Sequence, residues 1–232
     1  MLLATLIGVA AASSLGMWQL DRAAQKRALQ QALDERSTLP PLRADELART
    51  EEAARQQHYR AVHLQGRWLP RHTVFLDNRQ MEGRPGFFVV TPLVPEGTSQ
   101  AVIVQRGWVP RDLADRTRLP SIVTQSGQVV VDGRIAPPPA RLYEFAPAAS
   151  GVIRQNIDLA GYAAEIGMPL APLSVMQAGS SGDDGLSRHW PLPAVDIHKH
   201  YGYAFQWFAM SALMAGLYVW FRLVRPRLRR AA

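Results

Sequence analysis

The residues best able to do chemistry stand together at 198–208, His198-Lys199-His200-Tyr201-Gly202-Tyr203-Ala204-Phe205-Gln206-Trp207-Phe208. An imidazole can ligate a metal or a haem iron, and it can equally sit among lipid headgroups. At helical spacing His200, Tyr203, Ala204, Trp207 and Ser211 share one face, so a ligand-capable ring heads an aromatic wall with small residues beside it. In an extended segment, by contrast, His198 and His200 would point the same way, as a metal pair does, with His189 nearby. Other chemistry is missing. No Gly-x-Ser-x-Gly elbow, P-loop, dinucleotide glycine fingerprint or His-Glu-x-x-His occurs, so no enzyme activity is expected. The absence of cysteine excludes a disulfide framework, a thiolate metal site and haem attachment through Cys-x-x-Cys-His.

Two apolar runs must position these side chains. Gly202 to Phe221 carries no formal charge and makes a helix of roughly 30 Å, the thickness of a bilayer's hydrocarbon core. Met1 to Leu20 is also uncharged and is closed by Asp21 and Arg22. Ala10-Ala11-Ala12 resembles a signal-peptide cleavage site, but no basic residue precedes it and the run continues through Leu15, Met17 and Leu20, which favours a retained anchor. Gly8, Ala12 and Gly16 recur every four residues, as do Ala212 and Gly216. That spacing lets membrane helices approach closely, within one chain or in a homo-oligomer, although small residues are common in spans anyway. Behind the second run come Arg222, Arg225, Arg227, Arg229 and Arg230 with no acidic residue, the mark of a cytoplasmic side. The expectation is a two-pass protein of a cell inner membrane, both termini cytoplasmic and the middle region periplasmic. Most of the formal net charge of +7 resides in that tail. The near-balanced remainder argues against a nucleic-acid partner.

Between the spans the predicted architecture is α+β, one outer domain built on an antiparallel sheet or small barrel. The expected segments are a first span at 1–20, a helical extension at 21–57, the periplasmic domain at 58–201, a second span at 202–221 and a basic tail at 222–232. Helix formers carry the chain from Leu20 to about Arg36, Pro40-Pro41 break it, and Asp45 to Gln57 reads as another helix. Tyr59 to Leu69, Thr73 to Asp77, Phe87 to Val94, Ala101 to Val109 and Gln128 to Ile135 read as strands. Asp158 to Gly167 reads as a short helix, with Asp158 its cap and Gly167 its stop. Pro137-Pro138-Pro139 is a rigid connector, and Ala178 to Gly185 has a loop composition. Gly66-Arg67-Trp68-Leu69-Pro70-Arg71 echoes Arg106-Gly107-Trp108-Val109-Pro110-Arg111, each a strand end stopped by proline.

Four motifs in order carry a family resemblance. They are Leu15-Gly16-Met17-Trp18-Gln19-Leu20-Asp21-Arg22, Leu76-Asp77-Asn78-Arg79 followed by Gly83 to Leu93, Val104 to Pro110, and His200 to Phe208. Together with the two-span layout they make nearly the whole chain resemble the Surfeit-locus-1 family. The resemblance implies a role in biogenesis of haem-copper terminal oxidases, mainly cytochrome c oxidase, with haem a as the cofactor handled and the oxidase catalytic subunit as partner. The family's haem-linked histidine would be His200. Where the family's asparagines are expected upstream stand Ile197, His198 and Lys199, so His198 has no such support. With His200 as an axial ligand, Tyr203, Trp207, Trp18 and Gln19 would line the cofactor and Arg22 could pair with a propionate. The same stripe could instead face the neighbouring span or lipid. Two other readings stand beside this one: a haem-independent chaperone that docks on the oxidase subunit, and a tethered metal carrier using His198 and His200. Arg79 and Arg106, each expected after a strand, and Trp108 are candidate contacts to the partner, against the alternatives of a strand-end salt bridge or a core aromatic.

Overall fold

The computed structural model describes residues 2–115, 117–143, 151–179, 184–190 and 197–231. In chain order the elements begin with α1 (Leu2–Ser37), a 3-10 turn at Ala44–Glu46, α2 (Glu51–Gln57) and β1 (Ala61–Trp68). There follow β2 (Val74–Met81), β3 (Arg84–Pro95), β4 (Ala101–Pro110) and β5 (Gln128–Ala136). The chain continues through β6 (Ile153–Arg154), α3 (Leu159–Ile166), β7 (Leu170–Gln177) and α4 (Ile197–Val219), then a π-helical turn at Trp220–Val224 and α5 (Arg225–Ala231). Two compact units result, residues 1–32 with 193–232, and residues 33–192.

The first unit is helical. Residues Leu2–Ser37 and Ile197–Leu228 are each long and apolar enough to cross a membrane, and only 17% and 6% of their most apolar windows are buried. A soluble core helix would be covered; here Leu3, Ile7, Phe205 and Leu213 expose 60% or more of their surface, the pattern of side chains facing lipid. α1 runs without a break past Leu20, where the apolar run ends. It stops at Ser37, shortly before Pro40-Pro41, because proline disfavours helical backbone in the residue before it.

The second unit is a mixed sheet in the order β1-β5-β7-β4-β3-β2-β6, with β1 also pairing β3. That extra pairing, Gly66↔Pro95 to Trp68↔Leu93, closes β1, β5, β7, β4 and β3 into a five-stranded barrel. Closure removes the unpaired strand edges that invite aggregation. The small barrel is as expected, but the sheet is not wholly antiparallel: β4–β7 and β2–β6 run parallel. Alternate residues fill the barrel, among them Val62, Leu64, Val102, Val104, Val129, Val131, Leu173 and Val175. Tyr162 of α3 and Ile157 close a second core over Leu76, Val90 and Ile103.

Local chemistry sets the remaining boundaries. Asp158 caps α3 by accepting from Gly161 N at 2.8 Å, and Gly167 ends it at φ 67°. The helix expected over 45–57 is corrected to a 3-10 turn and the separate α2. Thr50 caps α2 by accepting from Ala53 N at 3.3 Å, so the helix starts there. Gln57 bridges the break, donating to Glu46 O at 2.7 Å and accepting from Ala48 N at 2.9 Å. Glu82 and Gly83, at φ 53° and 75°, form the tight turn between β2 and β3, a geometry that favours glycine. The loop expected at 178–185 lies partly outside the described residues.

Candidate functional site

The helical unit brings α1 and α4 side by side and antiparallel. A side chain added at Gly8 would meet Met214, and one at Gly16 would meet the Phe208 ring at 2.8 Å. Between these points Ser13 Oγ lies 3.0 Å from Ser211 Oγ, and Ser211 Oγ lies 3.4 Å from Val9 O. With Val9, Ser13 and Leu20 beside them, Thr5, Gly8, Ala12, Gly16, Gln19 and Ala23 are among the wholly or partly covered positions of α1. Their steps of three and four make a continuous seam of mostly small residues.

At one end of that seam His200 Nδ1 lies 2.7 Å from Gln19 Oε1. An amide oxygen only accepts, so in this contact Nδ1 is the donor. Beyond this pair Arg27 Nη2 donates to Tyr201 Oη at 2.6 Å and stacks on its ring at 5.6 Å. Ala204 and Ser211 are buried on α4, Trp207 is half-buried, and Tyr203 turns outward with 51% exposed. On α1, Trp18 is 49% exposed. Exposed Arg22 donates to Gln25 Oε1 at 3.1 Å and its guanidinium lies 5.5 Å from the Trp18 ring centre. Of the candidate cofactor residues, then, Gln19 and His200 touch. Trp207 lies on the seam side of α4, and Trp18, Arg22 and Tyr203 occupy exposed positions. Ser13, Arg27 and Tyr201 complete the pairing and were not anticipated; the three-four spacing of small residues around them is the signal that marks this face.

The His198–His200 metal pair is not formed. Residues 197–219 are helical rather than extended, and positions two apart on a helix point to different sides. Among the described residues no group of three or more His, Cys, Asp or Glu side chains could hold a metal ion.

The three candidate partner contacts of the outer domain are also corrected. Arg79, Arg106 and Trp108 expose only 6%, 3% and 5% of their surface, too little for direct contact with a partner. Both arginines lie within strands, at irregularities. The β3–β4 register jumps from Val89↔Gly107 to Val90↔Gln105 and leaves Arg106 unpaired, and the β2–β3 register shifts between Leu76 and Arg79. Such bulges re-aim a side chain. Arg106 turns inward, stacks 5.1 Å from the Trp68 ring centre, and donates to Thr124 Oγ1 at 2.6 Å and Val123 O at 2.9 Å. Burial pushes its pKa down, Asp184 at 3.8 Å pulls it back up, and Arg188 pushes it down further. Arg79 donates to Gln155 O at 2.9 Å, and burial lowers its pKa as well. Trp108 Nε1 donates to Arg79 O at 3.0 Å. Gly86 leaves room for that indole: an added Cβ would sit 2.1 Å from Val109 O and 2.5 Å from the Trp108 ring.

The residues that match known proteins fall in both units. The SURF1 family model matches residues 6–212. A SURF1-like protein of Drosophila melanogaster is 28% identical over 92% of this chain and 74% of its own length. A SURF1-like protein of Rickettsia felis is 25% identical over 90% of this chain and 91% of its own. The Saccharomyces cerevisiae protein named cytochrome oxidase assembly protein SHY1 is 30% identical over 95 residues, 41% of this chain but only 24% of that protein. A family match running from within the first span, through the barrel and past His200 means that the chain belongs to the SURF1 family.

Proposed function

We propose that this protein is an assembly factor for a haem-copper terminal oxidase, of the cytochrome c oxidase type, and that it holds haem a at one end of its span pair and aids insertion of that haem into the catalytic subunit. The role in assembly is supported by family membership and by the name of the yeast relative. The observation that carries the haem reading is the Gln19–His200 contact at 2.7 Å. It engages Nδ1, so Nε2 is the ring nitrogen that would bind iron.

The donor set fits a haem. His200 would hold the iron through Nε2. Arg22, exposed and backed by Trp18, would hold a propionate by charge-assisted hydrogen bonds. Tyr203, Trp18 and Trp207 would supply ring faces. When bound, haem would supply an iron centre able to take a nitrogen ligand from His200. The chain's own part is to present one nitrogen in a fixed tautomer, pair the carboxylates, and keep the seam closed below the site with the Ser13–Ser211 contact. Arg222, Arg225 and Arg227 follow the second span and favour a cytoplasmic tail. With α1 and α4 antiparallel, the N-terminus of α1 would lie on the same cytoplasmic side as that tail, and the barrel in the periplasm of an inner membrane.

Expression with and without haem a synthesis, followed by absorption spectra of the purified protein, tests the proposal. Haem a bands in the wild type and their loss in a folded His200→Ala variant are expected. An unchanged spectrum and occupancy in that variant would end the ligand assignment. Co-purification with the oxidase subunit, without haem even when haem a is in excess, would support the haem-independent chaperone instead.

A further inference from the structure

We infer that Gln19 is a positioning residue which, from the opposite span, sets the tautomer and orientation of His200. The inference rests on the haem-ligand reading of His200 but concerns a different residue and a different observable.

A neutral imidazole carries one proton, on either nitrogen, and only the bare nitrogen can bind a metal. Nothing within α4 itself would choose between them. The choice comes from α1, where Gln19 Oε1 lies 2.7 Å from Nδ1. The carbonyl oxygen accepts the Nδ1 proton, and Nε2 is left bare and fixed in direction. Histidines that bind metals usually have such a partner on the far nitrogen, and it raises ligand basicity as well as orienting the ring. Here the partner belongs to the other helix, so orientation depends on the seam. Gln19 is half-buried, as is His200. The seam beneath is held by Ser13 with Ser211 at 3.0 Å and by the close seating of Phe208 on Gly16. Only with α1 and α4 in this register does the amide meet the ring. The motif around Trp18 and the motif around His200, far apart in sequence, thus make one ligand-presenting unit.

Two readouts separate this inference from the haem reading. The first needs no haem. Full-length protein labelled with [15N]histidine, in lipid nanodiscs, reports by nitrogen chemical shift which ring nitrogen is protonated. The chain has six histidines, so the His200 signal is assigned by its loss in His200→Ala. Nδ1 protonation is expected in the wild type and in Gln19→Glu, which keeps an acceptor, with loss of that preference in Gln19→Leu. The second readout is titration of the same proteins with haem a. Gln19→Leu is expected to weaken binding about ten- to a hundredfold. Gln19→Glu should retain haem and move its midpoint potential negative, because a carboxylate partner makes the imidazole a stronger donor. A merely structural seam contact would not move that potential. An Nε2-protonated His200 in the wild type, or a Gln19→Glu protein with an unchanged potential, would overturn the role of Gln19. Retention of haem by His200→Ala would overturn the ligand reading instead, and would leave the tautomer result standing.

Discussion

The buried guanidinium groups of Arg79, Arg106 and Arg154 each donate to at least one acceptor in the outer domain, while Arg79 Nε and Arg106 Nε meet none among the described residues. Arg154, 7% exposed, donates to both Glu165 oxygens at 2.9 and 3.0 Å and lies 5.4 Å from the Tyr162 ring centre. Burial raises the Tyr162 phenol pKa, and its hydroxyl donates to His72 O. The hydrogen bond from Arg154 holds the Glu165 carboxyl below the usual range. A carboxyl lowered by folding releases its proton more readily in the native state, so the unfolded chain takes up more protons as pH falls. The contribution of the pair is therefore complete above about pH 4.3, the unfolded value, and is lost as pH drops through the folded one. Because the Glu165 side chain is 44% exposed, solvent screening keeps the charge contribution to about 1 kcal/mol or less. Urea unfolding of Glu165→Gln should show lower stability at pH 7 and a gap from wild type that closes on acidification. A gap independent of pH would mean that Glu165 acts through packing alone.

The elements were unevenly legible. Strands β1 to β5 stood out because Val, Ile and aromatic runs alternate between Gly and Pro stops. α3 stood out because both its cap, Asp158, and its stop, Gly167, are written locally. β7 did not: Pro172 interrupts it, and the register jumps there from Ala101↔Leu170 to Ile103↔Ser174. β6, two residues long, left no trace. The inward turn of Arg106 was hidden for a related reason, since a bulge is a property of two strands and not of one. The seam sits between these extremes. Small residues every four positions were visible, yet their partners on α4 were not, because pairing between helices nearly two hundred residues apart leaves no local pattern. The absence of cysteine makes the pairing easy to test. With Ser13 and Ser211 hydroxyls 3.0 Å apart, a Ser13→Cys, Ser211→Cys protein should form an internal disulfide in oxidised membranes, seen as a mobility change on non-reducing gels. Gly16→Ile in that background should lower the yield, because even a Cβ at Gly16 meets Phe208 at 2.8 Å. Gly16→Ala should do so less, since the Phe208 ring can shift.

At the scale of the whole molecule the two units obey different solvents. The cores around Leu64, Tyr162 and Phe87 are assembled wholly from residues 42–186, inside the unit that spans 33–192. The barrel is closed by its own strand pairings, and α2 and α3 are capped by their own residues. In the helical unit, by contrast, most of the apolar surface is exposed, and association rests on small residues and a few polar contacts. In lipid such contacts average about 0.6 kcal/mol each, enough to set register once the helices are inserted but not to hold them together in water. The residues proposed to hold haem, Trp18, Gln19, Arg22, His200, Tyr203 and Trp207, all belong to the helical unit. A fragment of residues 33–192 should therefore be soluble without detergent, unfold cooperatively by Trp fluorescence, and bind no haem a under conditions where the full chain does. The same fragment should still capture the oxidase subunit if docking belongs to the barrel. Haem binding by the fragment would remove the cofactor from the spans. A fragment that stays unfolded in water would show that the barrel depends on the helices.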